Sequence, residues 1–538
     1  MYNDIVNVNN SENNTVTERC NMKKTSRITA FLLTLLILLA SCSEKSTDKE
    51  KITTQENETT VSETTEAAET ESEIETASKK IEKKFADKSY GGKTFTMLGY
   101  DVGQHYYNNI SPIFNEIWAD GYTGEIINDA VFDRNSKTEV LLDIKLEHLF
   151  NSNIPNMIKQ AVSSSSNDFT AALGSLSGLG SSFEAGELAN LMNFENIDTT
   201  AEWYDKNCVD TFTLFGDRLY WLTGDYMLCD DYAVHVFFYN KNIIENNGFD
   251  QPYAMVEEGK WTMDYFDTLV NACVRDVDGN GTIDLNSDKD IVGLIGNVEE
   301  PKHWMYGARE KSIEIDDEGS FVVNTLSERH INVAEKIYRI LVEDKVFYNS
   351  SDPVLNKAFT SGRAVAYDIS LALINIFRDM PDEFGILPYP KYEESQENYG
   401  HYISNYVCTA IVCPKTVEDR DLAGACIEAL SAYSTETVNS GLYDTLLASK
   451  LVRDTESVDM LKICLGTKYF DWAVDFQWGN TFLNAYNDIY GKKNFEYVSD
   501  ATKNLKLQNI LLEKILNKSE KIRGLTNNKN FPQESHRK

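Results

Sequence analysis

An acidic loop carries the most regular spacing of metal-binding side chains in this sequence. Residues with side-chain oxygens occupy alternate positions from Asp276 to Asp284, with Gly281 in the sixth position and Ile283 in the eighth. This spacing matches the first nine positions of an EF-hand calcium loop. The twelfth position is Ser287 instead of a bidentate acid, and Asp288 follows one residue late. The predicted oxygen ligands are Asp276, Asp278, Asn280, Thr282, Asp284 and Asp288.

Two interpretations of this loop stay open. With an incomplete set of ligands, the loop binds calcium weakly and the ion stabilises the surrounding structure without taking part in chemistry. Alternatively, its Asp, Asn and Gly residues form a turn between two elements and hold no metal. The nine cysteines have no paired metal-binding spacing, and the seven histidines are scattered without an HExxH motif, so a structural zinc site is not predicted. No cofactor is required by the sequence.

Two further places in the sequence resemble catalytic motifs. Gly92-Lys93-Thr94 resembles the end of a phosphate-binding loop, but the earlier glycine position holds Asp87 and the segment precedes a strand. The stretch 174–178 has Leu176 where a nucleophile elbow needs Ser. Acidic residues are numerous, but no local pattern selects a glycosidase pair. The sequence therefore predicts a protein that is not an enzyme.

Composition excludes further classes of function. The chain has 538 residues, which favours two domains or lobes over one. With 51 Lys+Arg against 84 Asp+Glu, the formal net charge is −33, and this field repels phosphate backbones. Nucleic acid is therefore not expected as a partner. Hydrophobic residues make up 42%, enough to fold most of the chain, and Cys408 and Cys413 in an apolar run are expected to be buried free thiols.

The amino-terminal region has the features of an export signal. Basic residues between 23 and 27 precede the apolar stretch 28–40, which is shorter than the about 20 residues of a membrane span. The stretch ends in LASC (39–42), which resembles the lipobox of bacterial lipoproteins. The resemblance implies that Cys42 is lipidated and becomes the first residue of the mature protein. A cleaved signal with an incidental cysteine is the alternative.

Composition divides the region around this signal into segments. We expect an upstream extension at 1–21, a lipoprotein signal peptide at 22–41, and the lipidated Cys42 with a disordered tether at 42–86. The tether is rich in Ser, Thr, Glu and Lys and contains few apolar residues, so it cannot bury a core. This organisation predicts a protein held by its lipid at the extracellular face of the cytoplasmic membrane. The tail 526–538 is expected to be loose.

Strand-like and helix-like patterns alternate along the remaining chain. Residues 93–98 and 144–148 have strand patterns, and a helical pattern covers 123–141 between them. A second helical pattern covers 327–342. Short apolar runs that favour strands occur at 169–173, 235–239, 364–367 and 407–413. This alternation predicts an α/β fold with mainly parallel sheets, and the length fits two sheets better than one.

Several blocks of sequence resemble a known family. They are GDRLYWLTGDYMLCDDYAVHVFFYNKNIIENNGFDQPYAMVEEGK (216–260), WTMDYFDTLV (261–270), GYTGEIINDAVFDRN (121–135), FGILPYPKYEESQ (384–396) and YDTLLASKLVRDTESVDML (443–461). Together they resemble the extracellular solute-binding proteins of bacterial ABC importers, specifically family 1 of the carbohydrate type. The closest group is the large lipoproteins common in clostridia. The likeness runs from about residue 90 to 516.

The resemblance implies a two-lobed periplasmic-binding-protein-like α/β fold of class II, with a ligand cleft between the lobes that closes by hinge motion. On that pattern the chain crosses between lobes near 222–233, 388–402 and 433–443. Lobe 1 is then expected to comprise 87–230 and 396–438. Lobe 2 is expected to comprise 231–395 and 439–525.

Candidate ligand contacts follow from the resemblance and from the chemistry of sugars. A sugar ring needs a flat aromatic face, and its hydroxyls need acids and amides. Trp304 lies in a segment that resembles the cleft loop of sugar receptors, and Trp478 resembles a late stacking tryptophan of the maltodextrin class. Polar candidates follow predicted strand ends or crossings, where ligands bind in open α/β sheets. The full set is Tyr100, Glu125, Ser175, Trp221, Asp225, Asp231, Glu300, Trp304, Asp368, Asn405 and Trp478.

Each of these candidates has a structural alternative. The tryptophans can belong to the core, and an isolated Asp or Glu can cap a helix or lie in a solvated loop. The function we predict is a monomeric solute-binding lipoprotein that captures a carbohydrate, with an oligosaccharide preferred, and delivers it to ABC permease subunits. One rival is a sensory or adhesive ligand-binding lipoprotein that is not coupled to transport. The other is a lipoprotein glycosidase.

Overall fold

The computed structural model describes residues 75–100, 116–316, 321–448, 454–478, 480–492 and 494–526. The predicted extension, the signal peptide, Cys42 and most of the tether lie outside these residues, as does the tail after 526. Within the described part of the chain, no helix has the length and the apolar composition that crossing a bilayer requires.

One sheet forms the centre of the first lobe. Its strands are β1 (Lys93–Gly99), β2 (Ile144–Phe150), β3 (Ala171–Ser175) and β12 (Thr409–Val412). The order is β12-β3-β1-β2, with β1 parallel to β2 and β3, and β12 antiparallel to β3. Every residue of β3 is buried, as expected for a strand inside a helix-covered parallel sheet, and this is why it appears in the sequence as a continuous apolar run.

A second sheet forms the centre of the second lobe. Its strands are β4 (His235–Asn240), β5 (Val292–Gly296), β8 (Phe347–Asn349), β9 (Ala364–Ser370) and β10 (Phe384–Leu387). The order is β10-β4-β9-β5-β8. Strand β5 is parallel to β8 and β9, whereas β4 is antiparallel to β9 and β10. The carboxyl ends of β5, β8 and β9 therefore meet at one edge of the sheet.

Two small sheets and the helices complete the described elements. Strands β6 (Ile313–Ile315) and β7 (Phe321–Val323) pair antiparallel, and β11 (His401–Tyr402) pairs parallel with β13 (Lys468–Tyr469). The α-helices are α1 (Ala77–Lys84), α2 (Ile126–Leu142), α3 (Ile154–Ser164), α4 (Leu176–Glu184), α5 (Lys206–Phe212), α6 (Cys229–Tyr232), α7 (Lys241–Asn246), α8 (Tyr253–Glu257), α9 (Met263–Cys273), α10 (Glu300–Gly307), α11 (Glu328–Tyr338), α12 (Asp352–Thr360), α13 (Arg420–Ser434), α14 (Ser440–Ala448), α15 (Thr455–Gly466), α16 (Trp472–Asp475), α17 (Asn480–Gly491) and α18 (Tyr497–Thr526). Short 3₁₀ segments lie at Leu191–Asn193 and Leu371–Phe377, and π-helical turns at Arg339–Glu343 and Thr435–Asn439.

The first two crossings between the lobes lie side by side. Leu222 forms a bridge with Ile411 of β12, and Val234 forms one with Ile403 just before β4 begins. The chain therefore enters the second lobe between 222 and 235, and it returns to the first lobe between 403 and 409. The predicted return at 388–402 was too early. Tyr399 still donates its hydroxyl to the carbonyl of Val256 in the second lobe, at 2.9 Å, so 396–402 belongs there.

The last crossing also differs from the prediction. Helix α14 packs against α2 in the first lobe, whereas α15 packs against β10 in the second. The passage therefore follows Ala448, later than the predicted segment 433–443, and 439–445 belongs to the first lobe instead of the second. The sequence pattern of a helix such as α14 shows which of its faces is apolar. It does not show which lobe covers that face.

Part of the predicted tether is ordered. Helix α1 covers 77–84, where the sequence predicted a disordered segment through 86. Ala77, Ile81 and Phe85 recur every four residues and are buried against α13. Two polar contacts support this packing: Ser78 donates its hydroxyl to Glu436 at 2.7 Å, and Lys84 pairs with Glu428 at 2.6 Å. A narrow apolar stripe is enough to hold α1 in place because Glu436 and Glu428 of the first lobe also bind its polar side chains.

The cysteines of the described part are free and buried, which confirms the prediction for Cys408 and Cys413. Burial raises the pKa of the Cys413 thiol to about 12. These thiols are therefore neutral and act as small apolar side chains of the core.

Candidate functional site

A cavity of about 300 Å³ lies at the carboxyl edge of the second sheet. Asn297 lines it just after β5, Asp352 at the start of the helix that follows β8, and Asp368 and Ser370 at the end of β9. Because parallel strands bring their carboxyl ends to the same edge, three chain segments that are far apart in sequence converge here. We call this space the Asp368 cavity.

The returning crossing forms another wall of the Asp368 cavity. Tyr402, Ser404 and Tyr406 line it at alternate positions. The residue between them, Asn405, points elsewhere and donates its amide to the carbonyls of Val474 at 2.9 Å and Asp475 at 3.2 Å. Residues 405–407 form a turn in which the backbone N–H groups of Val407 and Cys408 donate to the carbonyl of Ser404, and this turn directs Asn405 away from the cavity. Tyr406 is 52% exposed, and its hydroxyl accepts a hydrogen bond from Gln477.

Two histidines hold Asp368 at the floor of the cavity. The Nδ1 atom of His235, at the start of β4, lies 3.0 Å from Oδ1 of Asp368. The Nδ1 atom of His303, in α10, lies 2.7 Å from Oδ2. The Asp368 side chain is 0% exposed, so it acts through these two rings and does not present a free carboxylate to the cavity. His235 lines the cavity itself.

The protonation states follow from burial and from the neighbouring charges. Burial lowers the pKa of His303 to about 4, although the carboxylate of Asp368 opposes this shift. Burial alone would raise the pKa of Asp368, but the two histidines hold it well below its usual value. Burial and the charge of Asp368 together raise the pKa of Glu300. At neutral pH the group therefore holds an ionised Asp368 and a neutral His303 whose ring donates from Nδ1, while the raised pKa of Glu300 favours its protonated form.

A second charged pair lies beside this group. Lys302 is buried and pairs with Glu299 at 2.6 Å, while its ammonium lies 4.1 Å from the centre of the Tyr402 ring. The same ring stacks on His303 with 4.3 Å between centroids and an interplanar angle of 12°. Burial opposes ionisation of Glu299, but Lys302 lowers the pKa of this carboxyl overall. Glu299, and not the predicted Glu300, lines the cavity.

The cavity combines hydroxyl-binding groups with aromatic surface. Its polar lining includes amides, hydroxyls and carboxylates, and Tyr402 and Tyr406 supply rings. Among the described residues that line it, none is Lys or Arg. Such a lining can bind a polyhydroxylated ligand through hydrogen bonds and ring contact, but it offers no cation to a phosphate or carboxylate.

Two predicted acids line a different cavity, of about 310 Å³, close to the crossings. Lys468 lies inside it, 2.6 Å from Asp231 and 2.7 Å from the neighbouring Asp230. Asp225 accepts hydrogen bonds from Thr435 at 2.6 Å and from Asn439 at 2.8 Å. Burial is the main cause that raises the pKa of Asp225 to about 6. The carboxylates of Asp225 and Asp231 thus form hydrogen bonds and an ion pair within the protein, and neither residue lines the Asp368 cavity.

The three predicted tryptophans are core residues. Trp221 and Trp304 are 0% exposed and Trp478 is 1% exposed, so none of them offers a face to a ligand. Trp478 stacks on Trp472 with centroids 5.5 Å apart, and Trp221 packs 4.4 Å from Phe476. Trp304 donates its indole N–H to Glu300 at 2.9 Å, which explains why Glu300 is buried as well. The prediction of stacking platforms was wrong, because large aromatic side chains fill the cores of both lobes.

The remaining candidates lie on the first lobe. Tyr100 and Ser175 follow β1 and end β3, and their side-chain oxygens are 3.1 Å apart. They lie at the predicted strand ends but do not line the Asp368 cavity. Glu125 is the amino-terminal cap of α2 and accepts a hydrogen bond from the backbone N–H of Asn128 at 2.7 Å. It therefore has the helix-capping role that was the alternative to ligand contact.

In the acidic loop at 276–290, the carboxylates that lie close together differ from those that the sequence predicted. Asp276 and Asp278 lie close to Asp290, with carboxylate oxygens within 4.8 Å of one another. Asp288 is not part of this group, since it points outward and pairs with Lys357 at 3.0 Å. Asp290 is buried, and it accepts the backbone N–H of Val277 at 3.0 Å and of Asp284 at 3.2 Å. The loop therefore brings Asp290, and not the predicted Asp284 or Asp288, beside Asp276 and Asp278. Calcium binding stays a prediction.

The sequence prediction missed most of the cavity lining. His235 was noticed only as the first residue of an apolar strand, and Tyr402 and Tyr406 were not selected. The turn at 405–407 decides which of these neighbouring side chains face the cavity, and no local pattern in the sequence indicated it. Nothing local links His235 to His303, because 133 and 65 residues separate these two from Asp368.

No family model matches the sequence, and no curated protein matches it. The structure is similar in fold to solved structures of other proteins. One is a cyclo/maltodextrin-binding protein complexed with maltotetraose, with 13% identity and a TM-score of 0.51, covering 78% of this chain and 97% of that chain. Another is UspC from M. tuberculosis, with 14% identity and a TM-score of 0.50, covering 78% and 100%. These likenesses confirm the two-lobed α/β fold that the sequence predicted.

Proposed function

We propose that this protein is an extracellular solute-binding protein that captures a carbohydrate and delivers it to an ABC permease. The single observation that carries the proposal is the Asp368 cavity, which lies where the second sheet meets the returning crossing. A ligand bound there touches both the lobe that holds Asp368 and the segment about which the lobes move. The similarity in fold to a maltodextrin-binding protein supports the same class of ligand.

The lining narrows the class of carbohydrate to neutral saccharides. Asn297, Glu299 and Ser404 can bind hydroxyls, and Tyr406 offers its exposed ring to the apolar face of a sugar. Because the described lining contains no Lys or Arg, a phosphorylated or acidic sugar would lack a counter-charge. The cavity volume is at the lower end of the range for small-molecule sites, about 300 to 1,000 Å³. A short saccharide therefore fits inside, and an oligosaccharide would extend through the mouth.

A thermal-shift and calorimetry screen against neutral saccharides of one to several units tests the proposal. A ligand at 100 times its dissociation constant should stabilise the protein by about 2.7 kcal/mol. Tyr406→Ala and Glu299→Gln should each weaken binding of that saccharide by at least about tenfold, since each removes a direct contact. Tyr122→Ala is the matched control, because Tyr122 is 66% exposed and lies outside the cavity.

Two results would contradict the proposal. If no neutral saccharide stabilises the protein while an unrelated solute does, the class of ligand is wrong. If a confirmed ligand is hydrolysed by the purified protein, the glycosidase alternative replaces transport. Solution scattering gives an independent check, because closure of the lobes on a saturating ligand should reduce the radius of gyration.

We further propose that the protein is a monomer. We also propose that a lipid on Cys42 anchors it to the extracellular face of the cytoplasmic membrane. The basic residues, the short apolar stretch and the sequence LASC support this anchor. Mass spectrometry of the mature protein from its native membrane should find a lipidated amino-terminal Cys42. Cys42→Ala should release the protein without changing its melting temperature. Recovery of an unmodified chain that retains residues before 42 would refute the anchor.

A further inference from the structure

Three metal-ligand side chains converge at the floor of the Asp368 cavity. The donor atoms of His235, His303 and Asp368 all lie within 4.8 Å of one another. The two histidine rings are themselves close, with centroids 4.5 Å apart. They come from β4, α10 and β9, three elements with no sequence proximity. Two imidazoles and one carboxylate are a ligand set that zinc and related metals use in proteins.

The charge of this group is not balanced by a cation. The Asp368 carboxylate is 0% exposed and contacts the two imidazoles, and the side chains of Glu300 and Tyr389 also interact with it. Among the described residues, no Lys or Arg forms an ion pair with it. Lys302 is close, but its ammonium is engaged with Glu299 at 2.6 Å. A buried carboxylate is costly unless it is paired or coordinates a metal. A bound cation would remove this cost.

Two buried polar atoms beside the group lack hydrogen-bond partners. They are Nε2 of His303 and Oε2 of Glu300, both on α10 and one helical turn apart. An imidazole that binds a metal through Nδ1 carries its proton on Nε2, and that N–H usually donates to a carboxylate or carbonyl. A metal on Nδ1 therefore places the ring proton on Nε2 of His303, the ring nitrogen that has no hydrogen-bond partner in the structure.

We propose that His235, His303 and Asp368 bind one late first-row divalent cation, for which Zn²⁺ is the probe. Zinc lies about 2.0 to 2.2 Å from nitrogen and carboxylate ligands. Tetrahedral ligands at those distances lie about 3.4 Å apart, so the present separations of 3.0 Å and 2.7 Å between Asp368 and the rings must widen by about 0.4 Å and about 0.7 Å. The side chains of His235 and His303 must rotate to supply this movement.

The nitrogen donors separate this site from the acidic loop at 276–290. Calcium takes oxygen ligands, which the loop supplies, whereas imidazole favours zinc, copper and nickel. The His235 side chain lines the cavity and is 9% exposed, so the metal has a path of entry beside it. Three protein ligands leave a fourth position for water or for an oxygen of a cavity ligand. The metal site does not depend on the identity of the transported solute.

Calorimetric titration of chelator-treated full-chain protein with ZnCl₂ tests the proposal. We expect the unchanged protein to bind one zinc per chain. The affinity of this zinc should be at least about tenfold lower in His303→Gln and in Asp368→Asn. His148→Gln is the matched control, since His148 is an exposed histidine outside the cavity. Asp278→Ala excludes the acidic loop as the zinc site. Both controls should bind zinc as the unchanged protein does.

Spectroscopy on the unchanged protein keeps the test valid if a variant fails to fold. X-ray absorption of the one-zinc complex should find nitrogen and oxygen ligands at about 2.0 to 2.1 Å with the signature of imidazole. Sulfur at about 2.3 Å would place the metal on a cysteine and overturn the proposal. Absence of stoichiometric zinc binding, or equal binding in His303→Gln and Asp368→Asn, would overturn it as well.

Discussion

His401 is a buried residue beside the cavity through which the stability of the folded protein should depend on pH. It is fully buried in β11, next to Tyr402 of the cavity wall. Its Nε2 accepts the backbone N–H of Tyr389 at 3.2 Å, and its Nδ1 lies 2.8 Å from the hydroxyl of Thr467. Both ring nitrogens thus have partners that suit the neutral ring. His401→Gln keeps one donor and one acceptor but cannot ionise.

The size of the effect follows from the pKa. Burial lowers the pKa of His401 from 6.5 to about 3, although the charge of Asp368 opposes this shift. The unfolded chain therefore binds a proton on His401 between these two values while the folded protein does not. Stability from the neutral ring is complete above pH 6.5 and is lost as the pH falls toward 3. Between pH 7.5 and pH 5 the loss is about 2 kcal/mol.

Urea unfolding at pH 7.5 and pH 5 measures this loss. The unchanged protein should lose about 2 kcal/mol more unfolding free energy over this interval than His401→Gln does. Other groups that titrate, including His303, are present in both proteins and cancel in the difference. His148→Gln, at an exposed site, should behave as the unchanged protein. Equal losses in the unchanged protein and His401→Gln would refute the reasoning that burial suppresses the charge of this ring.

Three further predictions concern the core, the acidic loop and the thiols. Trp478→Ala should reduce the free energy of unfolding by about 3 to 5 kcal/mol without changing ligand affinity of the folded protein, and Trp478→Phe should cost less; a specific loss of affinity would restore the stacking role. Millimolar calcium should raise the melting temperature modestly, an effect that Asp278→Ala removes and the matched Asp288→Ala retains; calorimetry without binding would leave the loop as a turn. Thiol reagents should label Cys413 quickly only after unfolding, so rapid labelling of the native protein would contradict its burial.

Much of the fold was predictable because its signals are local. The apolar runs at 235–239 and 364–367 became β4 and β9, and the helical pattern at 327–342 became α11 and the π-helical turn after it. Periodicity reports which side chains leave water, and strands and helices follow from that within a few residues. The order of strands and helices, together with the family resemblance, was therefore enough for a two-lobed α/β fold.

The cavity was predictable only in part. Asp368 was selected because it follows a strand, and the structure places it at the carboxyl edge where such residues converge. Trp304 and Trp478 were predicted because their segments resemble those of sugar receptors and an aromatic ring suits a sugar, yet the same large aromatic surface makes them effective core residues. Composition cannot separate these outcomes, since both follow from the removal of an aromatic ring from water.

The sequence by itself determined the charge of the chain, the alternating α/β elements and the buried thiols, and the export signal with its LASC end stays a prediction. Only the tertiary structure decided that α1 docks on the first lobe, that Asp290 lies beside Asp276 and Asp278 in the acidic loop, and that two distant histidines meet at Asp368. The physical reason is that burial and periodicity act over a few neighbouring residues, whereas a cavity and its hydrogen bonds exist only where remote segments meet. A residue's type states what it can bind, and the packing of the lobes decides which partner it has.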